Sequence, residues 1–172
     1  MILIRPTMEY ANQIMEYRQE FLVAGDSMDG CGPLRRYDDP KEYLEMCRMM
    51  ENPETVPEDK VLATQFLYVR KKDNKVVGMI QIRHYFNEYL EKYAGHIGYS
   101  VRPSERRKGY AKEMLKNVLP FCREIGLEKV LVVCIDGNIG SEKTILANGG
   151  VYESTVLEPN ENRNLKRFWI NL

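Results

Sequence analysis

The segment HIGYSVRPSERRKGYAKEMLKNVLPFCREIGLEKVLVVCI, residues 96–135, constrains the fold more than any other. It opens on a short β-rich run, crosses a turn through Pro103 and Ser104, and enters a stretch where Ala111, Met114, Leu115, Val118 and Cys122 recur at intervals of three and four. That spacing gathers the apolar side chains on one helical face, which must pack on a sheet. The run EKVLVVCI that follows is apolar at nearly every position, the pattern of a strand buried on both faces. Strand, one-sided helix and two-sided strand in succession describe an α/β layer.

The flanking sequence completes the layer. ILIRP predicts a short strand stopped by Pro6, and MEYANQIMEYRQEFL predicts a helix on the stripe Met8, Ala11, Ile14, Met15, Tyr17, Phe21 and Leu22. Residues 25–39 carry three glycines, four aspartates and Pro33, which predicts a mobile loop. DPKEYLEMCRMMEN predicts a short helix with Pro40 in its first turn. VLATQFLYVRKKDNKVVGMIQIRHYF reads as two strands joined by the polar KKDNK, and GVYESTVLEP with LKRFWINL as a terminal hairpin. Helices are expected over 106–123 and 140–148. Within the first, Pro120 removes an amide and predicts a kink or early stop, and Gly126 offers a C-terminal cap. The expected whole is one domain over 1–172: a mixed, mostly antiparallel twisted sheet of about seven strands with helices on both faces.

Composition narrows the function classes. With 44% apolar and 29% charged residues the 172-residue chain has a globular balance and the length of one domain. Lys plus Arg and Asp plus Glu are equal at 25 each, so the global positive field of a dedicated nucleic-acid binder is missing and any anion must be held locally. The start holds only the short apolar run MILI before Arg5, and no stretch approaches the ~20 apolar residues of a membrane span, so a cytoplasmic protein without a membrane partner is expected. Cys31, Cys47, Cys122 and Cys134 form no C-x-x-C pair, and His84 and His96 lack a third ligand, so neither a disulfide framework nor a metal site is expected.

The local anion site is sought in the basic turn. Helix N-termini present unpaired amides and the positive end of the macrodipole, which by itself disfavours arginine and lysine there. Arg106, Arg107 and Lys108 at that end therefore point to a bound polyanion, and Gly109, lacking Cβ, lets phosphate oxygens approach the main chain. An exposed, solvated basic turn is the other reading. Neither G-x-G-x-x-G nor the nucleotide P-loop motif is present.

The residues Arg106, Arg107, Lys108, Gly109, Tyr110 and Ala111 resemble the [QR]-x-x-G-x-[GA] signature of the GNAT N-acetyltransferases. HIGYSVRP precedes them in the place of that family's fourth strand, and EKVLVVCIDGNIGSEKTILANGG follows as its fifth strand, Asn-x-x-Ser helix start and glycine-ended segment. The resemblance covers residues 61–172 well and the first sixty loosely. It implies a fold whose fourth and fifth strands splay apart around the pantetheine of acetyl-CoA as cosubstrate, with an amine of a small molecule or peptide entering from the opposite side. By the same resemblance the main chain at Val101 pairs with pantetheine, the amides of Arg107, Lys108, Gly109, Tyr110 and Ala111 hold the pyrophosphate, and Asn138 bonds the cofactor arm; a turn and helix cap is the alternative for Asn138.

Many members carry a tyrosine as general acid where this chain has Ile145, so the implied acid is missing; Tyr99, Tyr152 or water are the substitutes. His96 takes the position of a glutamate found in related E-I-G-Y segments, which makes it the candidate general base, with a structural histidine as the alternative. Cys134 reads as a core thiol. The implied activity is N-acetyl transfer by direct attack of the amine. A non-catalytic acyl-CoA-binding sensor on the same fold is the competing reading, favoured by Ile145. Asp26, Asp29, Asp38 and Asp39 offer a surface for a cationic amine, or a solvated loop. Oligomeric state stays open, a homodimer included.

Overall fold

The computed structural model describes residues 1–172. Seven strands make one sheet: β1 (Ile2–Ile4), β2 (Ala63–Arg70), β3 (Lys75–Arg83), β4 (Ile97–Val101), β5 (Lys129–Ile135), β6 (Val151–Glu158) and β7 (Arg163–Asn171), in the spatial order β1-β2-β3-β4-β5-β7-β6. Every neighbouring pair is antiparallel except β4 and β5. These two run parallel because a helix, α3 (Tyr110–Glu124), carries the chain across between them. The other helices are α1 (Ala11–Ala24), α2 (Pro40–Glu51) and α4 (Ile139–Leu146).

Alternation along the central strands divides the core into two layers. Phe66 and Tyr68 of β2 pack with Met114, Leu115, Val118 and Cys122 of α3, while Leu67 and Val69 pack with Ile14, Tyr17 and Phe21 of α1 and Leu44 of α2. Both faces of β2 and β3 are thus covered, which is why their sequence is apolar without alternation. Each such side chain contributes about 1.5–3 kcal/mol by leaving water. No helix is long and apolar enough to cross a membrane.

Three local expectations are corrected. Helix α3 starts at Tyr110, not at 106, because Arg107 (φ 62) and Gly109 (φ 82) take left-handed backbone that no α-helix can include. Pro120 does not stop it: the helix runs to Glu124, its last turn held by buried Cys122 and by Phe121, whose ring meets Phe66 edge-on at 5.0 Å. Tertiary packing outweighs the missing hydrogen bond there. The loop 25–39 is packed rather than free, with Met28, Cys31 and Leu34 buried in the α1 layer. A π-helical turn at Leu90–Ala94 has no counterpart in the sequence reading.

The feature that creates the site is the divergence of β4 from β5. They share a single Cα pair, Ile97 with Val132, and beyond it the strands part. His96 closes the narrow end: its amide donates to the Leu131 carbonyl (2.8 Å), and its Nδ1 accepts from the Leu131 amide (2.9 Å). Gly95 bridges to Val132 beside it.

Candidate active site

A cleft of about 700 Å³ follows the gap between β4 and β5 through the sheet. One end is the turn before α3, lined by Val101, Arg106, Arg107, Gly109, Tyr110, Ala111 and Lys112, with Asn138 and Ser141 of the α4 start opposite. The far end is lined by Asp29 and Gly30 from the packed loop, Arg83 of β3, and Tyr89 and Tyr93 near the π-helical turn; Asp26 lies beside Arg106, and Arg163 of β7 follows the β5–β7 register toward Asp136.

At the first end none of the six amides from Arg107 to Lys112 donates to an acceptor in the protein. The first amides of any helix lack intrahelical partners, and here the left-handed turn adds those of Arg107 to Gly109, so six free donors in a row suit an anion. A Cβ at Gly109 would meet nothing within 4 Å, so the approach is open.

The cations around this cradle fall into two sets. Arg102 is buried and bonds Glu20 (2.6 Å) and Glu16 (3.2 Å) of α1. Arg106 pairs with Asp26 (2.7 Å), donates to the Val101 carbonyl (3.2 Å) and lies over the Phe21 ring. Lys108 pairs with Glu105 (2.7 Å) and does not line the cleft. Arg107 and Lys112 line the cleft and have no carboxylate partner. Three of the five basic side chains thus brace the turn, and two are left to meet a ligand.

Glu105 gathers Lys108 of the turn with Arg70 and Lys75 of β2 and β3. Hydrogen bonds from Arg70 (2.8 Å) and Lys108, opposed in part by burial, and then the Lys75 contact (2.9 Å) hold its carboxyl far below the usual carboxylate range. A depressed carboxylate stabilises the fold fully above its unfolded value near 4.5 and loses that contribution as pH falls toward the folded value. Glu105→Gln is therefore expected to lower the Tm at pH 7, by about 2–4 °C for each kcal/mol lost, and to flatten the fall in Tm below pH 4.5. Thermal melts from pH 7 to 3 check this; parallel curves for the two proteins would remove Glu105 from the acid-sensitive set.

The other residues singled out in the sequence are placed as follows. Asn138 Oδ1 accepts from the Ser141 amide (3.1 Å), capping α4, while the residue also lines the cleft. Tyr99 lines the cleft with its hydroxyl 2.8 Å from Ser141 Oγ, and burial pushes its pKa well up. Tyr152 is exposed on β6 and bonds Thr155. Ile145 is fully buried in the core. The Cys134 thiol is pushed up to about 11 by burial, with no base beside it, and is unsuited to nucleophilic work. His96 does not line the cleft; its ring stacks on Phe86 (3.9 Å between centroids), and burial followed by the Arg83 charge lowers its pKa to about 4.

Of the four loop aspartates, Asp26 pairs with Arg106, Asp38 with Arg18 (2.7 Å), and Asp39 caps α2 through the Lys41 amide. Only Asp29, bonded by the Ser27 hydroxyl (2.7 Å), is left without a cationic partner in the cleft wall. Arg83 and Arg163 carry no signal in the sequence, where each is one more charged residue at a strand end. No group of three or more His, Cys, Asp or Glu is placed to hold a metal.

The model of the Acetyltransferase (GNAT) family matches residues 34–146, more than half of the chain. No curated protein matches the chain in sequence. Among solved structures, the chain resembles the ribosomal-protein-S5-alanine acetyltransferase from Vibrio fischeri (18% identity, TM-score 0.72, 98% of this chain and 91% of that one). It also resembles a mutant of the spermidine N-acetyltransferase SpeG from Vibrio cholerae (13%, TM-score 0.66, 99% and 95%). The microcin C7 self-immunity acetyltransferase MccE, solved with acetyl-CoA and AMP, is a third (14%, TM-score 0.71, 99% and 91%). At these identities the likeness concerns the fold, with its parallel, diverging β4 and β5. The family match and the fold agree, and the chain belongs to the GNAT acetyltransferase family.

Proposed function

We propose that the protein is an acetyl-CoA-dependent N-acetyltransferase that acts on a primary amine of a small molecule or peptide. The observation that carries this reading is the row of six unpaired amides at one end of a cleft whose far end opens among charged side chains. Acetyl-CoA supplies an activated thioester: the amine nitrogen bonds the acetyl carbon, the C–S bond breaks, and the thiolate takes up the proton that the amine gives up. The amides of Arg107, Lys108, Gly109, Tyr110 and Ala111, with that of Lys112, suit the pyrophosphate, and Arg107 and Lys112 its remaining charge. Val101 and Asn138 line the cleft between the amide row and its far end, a position that suits contact with the pantetheine arm. The chemistry is then mainly positioning in a narrow cleft, with no covalent intermediate on the protein.

Of Tyr99 and Tyr152, only Tyr99 lines the cleft. Because its pKa is raised, it is a weaker acid than a thiol of pKa about 8.5, so it steadies the leaving thiolate by a hydrogen bond and keeps its own proton. His96 is read as a staple between β4 and β5. Its Nδ1 lone pair is engaged by the Leu131 amide, which leaves the proton on Nε2 and no free lone pair to act as base.

The staple has a pH signature. A histidine whose folded pKa is about 4 against 6.5 unfolded keeps its full contribution above 6.5 and loses it as pH falls toward 4. His96→Asn retains an acceptor near Nδ1 but cannot titrate, so its Tm is expected to vary less than the wild type's between pH 6.5 and 4, with kcat at pH 7.5 largely kept. A loss of ~10²-fold in kcat, together with loss of the acidic limb of the rate profile, would restore His96 as the base.

The activity itself is tested by thiol release from acetyl-CoA with a panel of primary amines, alongside calorimetry of acetyl-CoA binding. Amine-dependent release with binding supports the transferase. Binding with no release for any amine supports the acyl-CoA sensor, the reading favoured by burial of Ile145 where a phenol is expected.

A further inference from the structure

The far end of the cleft has a charge arrangement that the basic turn does not account for. Arg83, at the end of β3, has no carboxylate within ion-pair distance; its Nη1 donates only to the carbonyls of Gly95 (3.1 Å) and Ala94 (3.4 Å). A recessed guanidinium carries five donors and is ordinarily met by a carboxylate fork. Here the remaining N–H groups face the cleft, beside Gly98, where an added Cβ would lie 3.7 Å from Nη2. Gly98 is the first residue of β4 beyond its single pairing with β5, so this cation stands where the strands part.

A second arginine lines the cleft from β7. Arg163 Nε is buried without a hydrogen-bond partner, although the same side chain pairs through Nη2 with Glu161 (2.6 Å). Glu158, also in the wall, accepts from the amides of Asn160 (3.2 Å) and Glu161 (2.7 Å), and its charge acts on Arg163 and not on Arg83. Asp29 is the acidic side chain that lies near Arg83 yet forms no ion pair with it.

We propose that the acceptor is a small amine that also carries a carboxylate, an amino-acid-type substrate whose carboxylate is held by Arg83 while its amino group faces Asp29. This rests on the acetyltransferase reading and narrows its substrate class. A polycationic amine fits poorly, since of the loop's four aspartates only Asp29 is unspent and Arg83 would repel a second positive group. Held by its carboxylate where β4 and β5 separate, such a molecule presents its nitrogen toward the thioester path, and anchoring of this kind is what raises a rate by positioning.

The test compares matched pairs: phenylalanine with phenethylamine, leucine with isopentylamine, lysine with cadaverine, and spermidine as a polycation. Thiol release from acetyl-CoA gives kcat/KM, and calorimetry on the CoA-loaded protein gives binding of the same compounds. The carboxylated member of a pair is expected to exceed its partner by ~10²-fold or more, because a site built to bond a group rejects the analogue lacking it. Arg83→Gln is expected to erase that preference, mostly through KM, and to leave acetyl-CoA affinity unchanged; Arg83→Lys is expected to restore part of it. Because the preference is measured first on the wild type, misfolding of a variant does not decide the outcome. Equal or better turnover of the decarboxylated amines or spermidine overturns the proposal and leaves the acetyltransferase standing. No turnover, with carboxylate binding that disappears in Arg83→Gln, overturns the acetyltransferase and keeps the anchor. No turnover and no carboxylate binding overturns both.

Discussion

Gly30→Ala is expected to destabilise the protein by about 2–5 kcal/mol, whereas Gly25→Ala, five positions earlier in the same loop, is expected to cost only about 1–2 kcal/mol. Both glycines have left-handed backbone, with φ of 72 and 66. They differ in what a Cβ would touch. At Gly25 nothing lies within 4 Å, so only the conformational strain is felt; at Gly30 the new atom would fall 2.1 Å from the Gly98 carbonyl oxygen and 2.5 Å from Tyr99 Cα. Those are main-chain atoms of β4 and cannot swing aside. Either the loop lifts off the strand, dragging the buried Met28, Cys31 and Leu34 with it, or β4 shifts and the mouth of the cleft changes shape. In either case Asp29 moves relative to Arg83. At about 2–4 °C per kcal/mol for a chain of this size, the Tm of Gly30→Ala should fall by roughly 4–20 °C, with a loss of kcat/KM that Gly25→Ala does not share. Equal melting temperatures for the two variants would mean that the loop does not lean on β4.

This contact shows where sequence reading stops. The β4, turn, α3, β5 unit was legible because each piece announces itself locally: a helical stripe at Met114, Leu115 and Val118, a two-sided apolar run at Val130 to Val132, and a glycine among cations between them. The contact of Gly30 on Gly98 joins residues far apart in the chain, and no periodicity encodes it. Counting glycines and aspartates suggested mobility, when Gly30 in fact permits the closest approach of the loop to the sheet. Arg83 was invisible for a similar reason: what singles it out is the carboxylate it lacks, and a missing partner cannot be read from spacing. His96 was expected on the strand itself, but it stands one residue before β4, and its ring turns into the Leu131 pairing and does not line the cleft. Alternation along a strand gives the face of a side chain and not the hydrogen bond that occupies it.

The basic turn gives the other large effect. The amides from Arg107 to Lys112 form an anion cradle only while the backbone at Gly109 stays left-handed, and that conformation excludes most side chains on strain rather than on space. Asparagine tolerates it better than other residues, so Gly109→Asn should keep the turn and most of the affinity for acetyl-CoA. Gly109→Glu adds a carboxylate with open room to bend over the free amides and accept from them, competing with a pyrophosphate and repelling it. Acetyl-CoA is expected to bind about 10- to 10²-fold more weakly to Gly109→Glu, the equivalent of about 1–3 kcal/mol in charge-assisted hydrogen bonds. The difference between the two variants combines the added charge with the larger strain that glutamate has in left-handed backbone. Salt separates the effects: part of the loss in Gly109→Glu should shrink as ionic strength rises, since repulsion is screened and occupation of the amides is not. Calorimetry at two salt concentrations, with circular dichroism to show that both variants are folded, makes the measurement. If Gly109→Asn weakens binding as much as Gly109→Glu, the glycine matters for the shape of the turn alone; if neither weakens it, the pyrophosphate is bound elsewhere and the six free amides have another ligand.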